Sequence, residues 1–403
     1  MPSEVVVLEG HIIDSLILAK VMDLVIGAGG DYRILDVQIG RTNEDESTAR
    51  LDVSHDDADA LESLLLELQS QGANRATTRD AGLVAADRDG VLPAGFYSTT
   101  NLATDVRVEQ RWVTVDNPEM DCAVVVAPDR TSARTVPMHR VRVGDLVVAG
   151  NDGVRVHPPE KPRDMSLFEF MSSEVSSEKP KQPLVARVAD RIREAKTGGG
   201  SVLAVCGPAV IHTGGGPAVA RLVRDGWIDV LFAGNGFATH DLETNVLGTS
   251  LGVSLDGVPA EGGHANHLRV INEVRRHGSI AAAVQAGLVT GGVMYECVRR
   301  GVPFVLGGSV RDDGPLPDVL TDVVEAADAM RELVPRVTVA LMLASTLHAI
   351  ATGNLLPASV ETFCVDINQA VVTKLADRGS HQAVGLVTDV GLFLAGLVDQ
   401  LCG

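Results

Sequence analysis

The chain has 403 residues, enough for two or three domains with self-sufficient cores, and carries 34 Lys plus Arg against 53 Asp plus Glu, a formal net charge of -19. With aromatic residues at only 3 %, it has neither the basic face that neutralises phosphates nor the rings on which single strands stack, which excludes nucleic acid as a partner. The negative field serves solubility or favours cationic small molecules.

In chain order, residues 4–8 and 33–39 read as strands, with an amphipathic helix over 14–26 between them that closes on Gly27-Ala28-Gly29-Gly30. A strand over 48–53 and a helix over 56–71 complete a β-α-β-β-α unit. Residues 1–76 are therefore expected to form a small α+β sandwich of the ferredoxin-like or amino-acid-sensing kind. Residues 77–160 change to short alternating runs separated by Gly, Pro and Asn turns, the pattern of a small β-rich domain. Pro, Ser and charge dominate 161–183, a linker, although the apolar run 167–171 inside it is expected to dock.

From 184 to 403, apolar strands at 202–206, 228–233, 303–306, 337–343, 362–366 and 384–388 alternate with helices. Near-continuous apolar strands between helices mean a parallel sheet covered on both faces. The fold class is α/β, with a Rossmann-like parallel-sheet domain at the C-terminal end preceded by the small α+β and β domains. The five cysteines, Cys122, Cys206, Cys297, Cys364 and Cys402, are far apart and show no CxxC spacing, as in a reduced, cytoplasmic protein. The first residues lack a basic region and a small-residue cleavage site, so no export is expected. Residues 197–220 and 337–360 are long enough to span a bilayer, but Gly, Pro, Asn, Thr or His interrupt both, and no membrane partner is expected.

Open parallel sheets bind ligands at the carboxyl ends of their strands, which makes the residues just after each strand informative. After the first comes Thr213-Gly214-Gly215-Gly216-Pro217, either a phosphate cradle at a helix N-terminus or a tight turn. After the second, Asn235 and Gly236 offer an amide and open backbone for a ribose or nicotinamide, unless Asn235 is only a turn residue. Gly307-Gly308-Ser309-Val310-Arg311-Asp312-Asp313 sets two carboxylates beside an arginine. Ser345, Thr346, Leu347 and His348 open a helix with hydroxyl and N–H groups for a diphosphate. Asp366 and Asp389 each end a strand, placed to grip ribose hydroxyls or to cap the helix that follows. His264 and His267 stand three apart, but no third metal ligand is evident, and HExxH and Walker patterns do not occur.

Thr213-Gly214-Gly215-Gly216, Ala233-Gly234-Asn235-Gly236 with His240-Asp241, residues 248–252, 261–264, 294–297, 309–318 and 365–368, with Ser98 to Asn101, Arg107 and Pro118 to Asp121, together resemble one family along nearly the whole chain. That family is the LOR/SDH bifunctional enzyme conserved region. Its members include NAD-dependent ornithine cyclodeaminases of archaea and bacteria and the C-terminal part of cyanobacterial arginine dihydrolases. One departure is Ala103, where the family pattern has proline.

The resemblance implies a deoxyhypusine-synthase-like C-terminal domain with NAD at its strand ends. Carried over by position, Asn235, Gly236, Asp313, Ser345, Thr346, Leu347, His348, Asp366, Asp389 and Val390 form the dinucleotide shell. It also implies a borrowed hydride: NAD takes it from Cα of ornithine, the δ-amine attacks the resulting imine with loss of ammonia, and the cyclic imine takes the hydride back to give proline. That chemistry asks for a cation at the α-carboxylate, expected to be Arg107. An acid must hold the δ-ammonium, expected to be Glu119 or Asp121, and a base is needed, expected to be His264 or Asp312. The partners implied are a small amino-acid substrate and further copies of the chain in a homo-oligomer. Two readings compete: an NAD-dependent oxidoreductase of the saccharopine or lysine type, since lysine shares both charged ends, and a nucleotide-binding regulatory module.

Overall fold

A computed structural model describes residues 1–403 except 14–15, 42–44, 77–78, 158–181, 251–252, 255–264, 311, 313, 372–373 and 375–382. The chain divides into two compact units, Met1–Glu174 with Leu356–Ser359, and Val175–Leu355 with Val360–Gly403.

The first unit opens with β1 (Ser3–Gly10), a helix over Ile17–Gly27, β2 (Asp31–Gln38), β3 (Ser47–Ser54), a helix over Ala58–Ser70 and β4 (Asn74–Arg75). Its strands pair in the order β2-β3-β1-β4, all antiparallel, the split β-α-β arrangement expected from the pattern. Alternation puts Val6, Leu8, Leu51 and Val53 on one sheet face. There they bury against Val21 and Val25 of the first helix and Leu61, Leu64, Leu65 and Leu68 of the second. Asp57 starts the second helix by accepting from the N–H groups of Asp59 and Ala60.

A second sheet follows, with β5 (Gly82–Ala85), β6 (Ala103–Val108), β7 (Arg111–Asp116), β8 (Ala123–Val126), β9 (Ala133–Val136), β10 (Leu146–Ala149) and β11 (Val154–His157). Their order is β11-β6-β7-β9-β8-β10-β5, antiparallel except for the parallel pair β7 and β9. The Asn74 amide donates to the Val156 carbonyl at 2.9 Å and accepts from its N–H at 2.8 Å, tying β4 to β11. The linker expected over 161–183 lies outside the described residues except for its last two, which open the helix Gln182–Thr197.

The second unit is built on a seven-stranded parallel sheet: β12 (Ser201–Cys206), β13 (Val230–Gly234), β16 (Phe304–Gly307), β17 (Val319–Leu320), β18 (Val337–Leu343), β19 (Glu361–Asp366) and β20 (Ala383–Val387). The strand order is β17-β16-β13-β12-β18-β19-β20, and a two-stranded hairpin, β14 (Thr249–Ser250) with β15 (Val253–Ser254), stands apart from it. This is the expected parallel α/β sheet, and helices including Gln182–Thr197, Gly216–Arg224, Asn235–Leu247, Val293–Arg300 and Val390–Cys402 contribute to its core. Val202, Ala204, Leu231, Ala233, Leu341, Leu343 and Val365 are almost wholly buried in it. Among the described residues, no helix is long and apolar enough to cross a membrane.

Candidate functional site at the switch point

The chain runs outward from β12 through β13 and β16 on one side, then resumes on the other side of β12 with β18, β19 and β20. The direction therefore reverses between β12 and β18, the place where an open parallel sheet is expected to form a crevice at its carboxyl ends. There the two backbones are nearly in contact. Gly207 N–H donates to the Leu343 carbonyl at 2.9 Å, and Ala344, at φ 45, turns its own N–H to the Val365 carbonyl at 2.9 Å. A Cβ at position 207 would lie inside the Ala344 carbonyl oxygen, so no other residue type fits.

One strand further out, Asn235 is the first residue of the helix Asn235–Leu247 rather than a turn residue, and it is buried. Its amide donates to Asp312 Oδ1 at 3.2 Å, while its oxygen accepts from the Leu316 N–H at 3.0 Å and from the Thr239 hydroxyl at 3.4 Å. The other Asp312 oxygen accepts from the Ser309 N–H at 2.8 Å. His348 fills the space left by two glycines: a Cβ on Gly234 would be 2.7 Å from its Nε2, and one on Gly307 would be 3.1 Å from its Cε1. Burial holds the His348 imidazole below its ordinary pKa, against the pull of the Asp312 carboxylate. The structure thus brings Asn235, Asp312 and His348 into one neighbourhood.

On the far side of the switch, Ser345 is buried, while Thr346 and Leu347 are exposed at the start of the helix Leu347–Leu355. Asp366 ends β19 and accepts from the Asn368 N–H at 2.8 Å; Asp389 caps the helix Val390–Cys402 by accepting from the Leu392 N–H at 2.9 Å. Val390, in the first turn of that helix, is buried. Each acid keeps an oxygen beyond these bonds, so capping and ligand contact are compatible. Leu347, Ile367 and Leu392, exposed at 80 %, 75 % and 73 %, follow the ends of three adjacent strands and make an apolar rim. The glycine cradle is corrected: Gly215 and Gly216 are buried, and a Cβ on either would press on Leu394 or Ile211, so these glycines serve close packing beneath the helix Gly216–Arg224.

The residues expected to hold substrate divide differently. Arg107 lies on β6 in the first unit with its guanidinium 3.6 Å from Asp80. Glu119 is buried, and Asp121 is exposed in a left-handed turn at φ 60. His264 and Asp313 fall outside the described residues. No group of three or more His, Cys, Asp or Glu among the described residues could hold a metal ion.

Sequence reasoning gave no role to three buried acids in the second unit, although Asp241 and Glu296 lie within the motifs quoted for the resemblance. Asp241 accepts from the N–H groups of Val293 and Met294, both at 2.9 Å, and so caps the helix Val293–Arg300; burial pushes its carboxyl up to about 6 despite those bonds. Glu243 is fully buried beside His240, and Glu296 is buried on the helix that Asp241 caps. The signal available was spacing, since His240 and Glu243 are three apart and share a helix face.

An open parallel sheet with polar groups gathered at a switch point defines a dinucleotide-binding α/β protein. Three family models cover the chain: the arginine dihydrolase ArgZ-like C-terminal Rossmann fold over 186–397, the first region of the same C-terminal module over 103–185, and the LOR/SDH bifunctional enzyme conserved region over 3–102. The ornithine cyclodeaminase of Methanocaldococcus jannaschii is 52 % identical over 401 residues, covering 98 % of this chain and 95 % of that one. The apo crystal structure of ArgZ, a cyanobacterial arginine dihydrolase, is 40 % identical with a TM-score of 0.87, over 100 % of this chain and 58 % of that one. The ternary complex of AgrE with ornithine and NAD+, a protein of Nostoc sp., is 41 % identical with a TM-score of 0.54, over 100 % of this chain and 57 % of that one. The chain belongs to this ArgZ-like ornithine cyclodeaminase family.

Proposed function

We propose that the protein is an ornithine cyclodeaminase, converting L-ornithine to L-proline and ammonia with NAD as a recycled cofactor. One observation carries this reading: 52 % identity along 98 % of the chain to a relative of that name and of nearly equal length. The residues present suit a dinucleotide. The close approach of Gly207 to Ala344 sets the path of the backbone at the switch point. Backbone N–H groups of Ser345, Thr346, Leu347 and His348 at a helix start suit the diphosphate, and Asp366 and Asp389 suit ribose hydroxyls. The apolar rim at Leu347 suits a base, and Asn235, Gly236, Asp313 and Val390 complete the shell.

When bound, NAD supplies a hydride acceptor that returns what it takes. The chain's own groups then hold the substrate and its protons. Arg107 is assigned the α-carboxylate, and Glu119 or Asp121 the δ-ammonium. Asp312, fixed by Asn235 and by the Ser309 N–H, is assigned the base, with His264 as the alternative. The same reading places the protein in the cytoplasm, as a homo-oligomer.

The test is turnover of L-ornithine with substoichiometric NAD. Proline and ammonia are expected in equal amounts with no accumulation of NADH. Stoichiometric NADH would instead make it an oxidoreductase of the saccharopine type, and NAD binding without turnover of any diamino acid would make it a regulatory module.

A further inference from the structure

The helix Asn235–Leu247 leaves the carboxyl end of β13 carrying a polar cluster that the assignments above do not use. His240 Nδ1 lies 3.1 Å from Glu243 Oε2, and Glu243 has no solvent exposure. The other Glu243 oxygen accepts from the Thr249 hydroxyl at 2.8 Å. The Thr249 oxygen in turn accepts from the Asn266 amide at 2.9 Å, and Asn266 accepts from Arg269 at 2.8 Å. This chain of bonds ends on a cation. Thr249 donates to one Glu243 oxygen, which leaves the other to accept the His240 Nδ1–H. That bond fixes the tautomer and leaves Nε2 as the basic atom. The His212 ring stands 4.7 Å from the His240 ring at 61°, on the short helix after β12, with its Nδ1 2.8 Å from the Ser250 hydroxyl. His212 is exposed and His240 half-buried. Both follow the carboxyl ends of adjacent central strands, β12 and β13, the first of which borders the switch point.

Resting on the cyclodeaminase reading, we infer that Glu243 is a positioning residue for His240, and that His240 carries protons between the crevice and solvent with His212 as the outlet. The step moves no electrons: Nε2 takes a proton released as the substrate ammonium becomes an amine, and passes it through His212 to water. Of the charged and titratable groups around this helix, Asp312 and His348 meet its start at Asn235 and Gly234. His212 faces His240 directly, and Arg269 reaches it through Asn266. Asp241 turns to the helix Val293–Arg300, where Glu296 and Cys297 lie. Strands β13, β14 and β16 bring no titratable side chain.

Glu243→Gln keeps the size and removes the charge that favours imidazolium. The expected result is a kcat lower by about 10- to 100-fold with KM changed by no more than about twofold. The acid limb of the kcat–pH profile should move about one unit lower, because His240 then loses its proton more readily. An unmoved acid limb with full kcat would overturn the inference, as would a kcat loss that merely follows a loss of thermal stability. His240→Asn sits closer to the surface and serves as the second variant; full activity in it at every pH would also overturn the proposal. An NMR titration of the His240 ring without NAD reads the coupling apart from catalysis. It should show a lower pKa in Glu243→Gln than in the parent chain, and equal values would sink the pairing whether or not the parent makes proline.

Discussion

The two units spend their charges differently. In the first, as on the surface of the second, carboxylates and basic groups meet on half-exposed strands and helices, as Arg33 does with Asp52, Arg75 with Glu62, and Arg155 and His157 with Asp105. Such pairs contribute little each, about 0–1 kcal/mol at the surface. In the second, Asp241, Glu243, Glu296 and Asp366 are buried, and all but Glu296 follow the end of a parallel strand or lie in the helix that leaves it. A buried carboxylate is costly unless it is bonded, and in Asp241 and Glu243 the bonds come from helix N–H groups, a hydroxyl and an imidazole. The lesson is that carboxylates buried at and just after the strand ends, rather than charge density, mark the polar network of the second unit.

The severest challenge to that contrast is Gly207→Val. It should force β12 and β18 apart at the switch point, cost more than about 4 kcal/mol and abolish NAD binding, as read by denaturant unfolding and calorimetric titration. Retained binding would show that the crevice lies elsewhere. Asp241 gives an intermediate effect through pH. Its carboxyl is raised from 3.8 to about 6 in the folded protein, so the folded state binds the proton more tightly than the unfolded chain. The resulting stabilisation is complete below pH 3.8 and is lost as pH rises through about 6. A decline of about 3 kcal/mol is expected over that window, and it should be missing in Asp241→Asn when both proteins are melted across it. The smallest expected effect sharpens the comparison most. Asp57 and Asp389 are both N-caps, one in each unit. Asp389→Ala should cost about 1 kcal/mol and also weaken NAD, whereas Asp57→Ala should lower the melting temperature and leave NAD affinity unchanged.

Much of the architecture was legible because its periodicities are strong. Alternation marked the second sheet, and apolar runs such as 337–343 marked the parallel one. What escaped was short or locally ambiguous. β17 has two residues, too few to show a period. The turn Ala209–His212 follows Gly207-Pro208, which reads as a break. Gly215 and Gly216 looked like an anion cradle because a packing glycine and a ligand-facing glycine are identical in sequence. The helix Asn235–Leu247 was not anticipated, because its buried face carries Asn235, Thr239, Asp241 and Glu243 beside Phe237 and Leu242, which erases the apolar stripe. That erasure was itself informative, since polar residues on a buried face are where this site keeps its hydrogen bonds.

Four residues late in the chain finish a layer begun much earlier. The Asn101 amide donates to the Leu356 carbonyl at 3.3 Å, the Ala358 N–H donates to the Asn101 carbonyl at 2.8 Å, and Ala358 closes over Leu102 and Val156. The amino-terminal unit is therefore completed only by residues 356–359. A chain that stops before residue 356 therefore lacks part of its first unit as well as the end of its second.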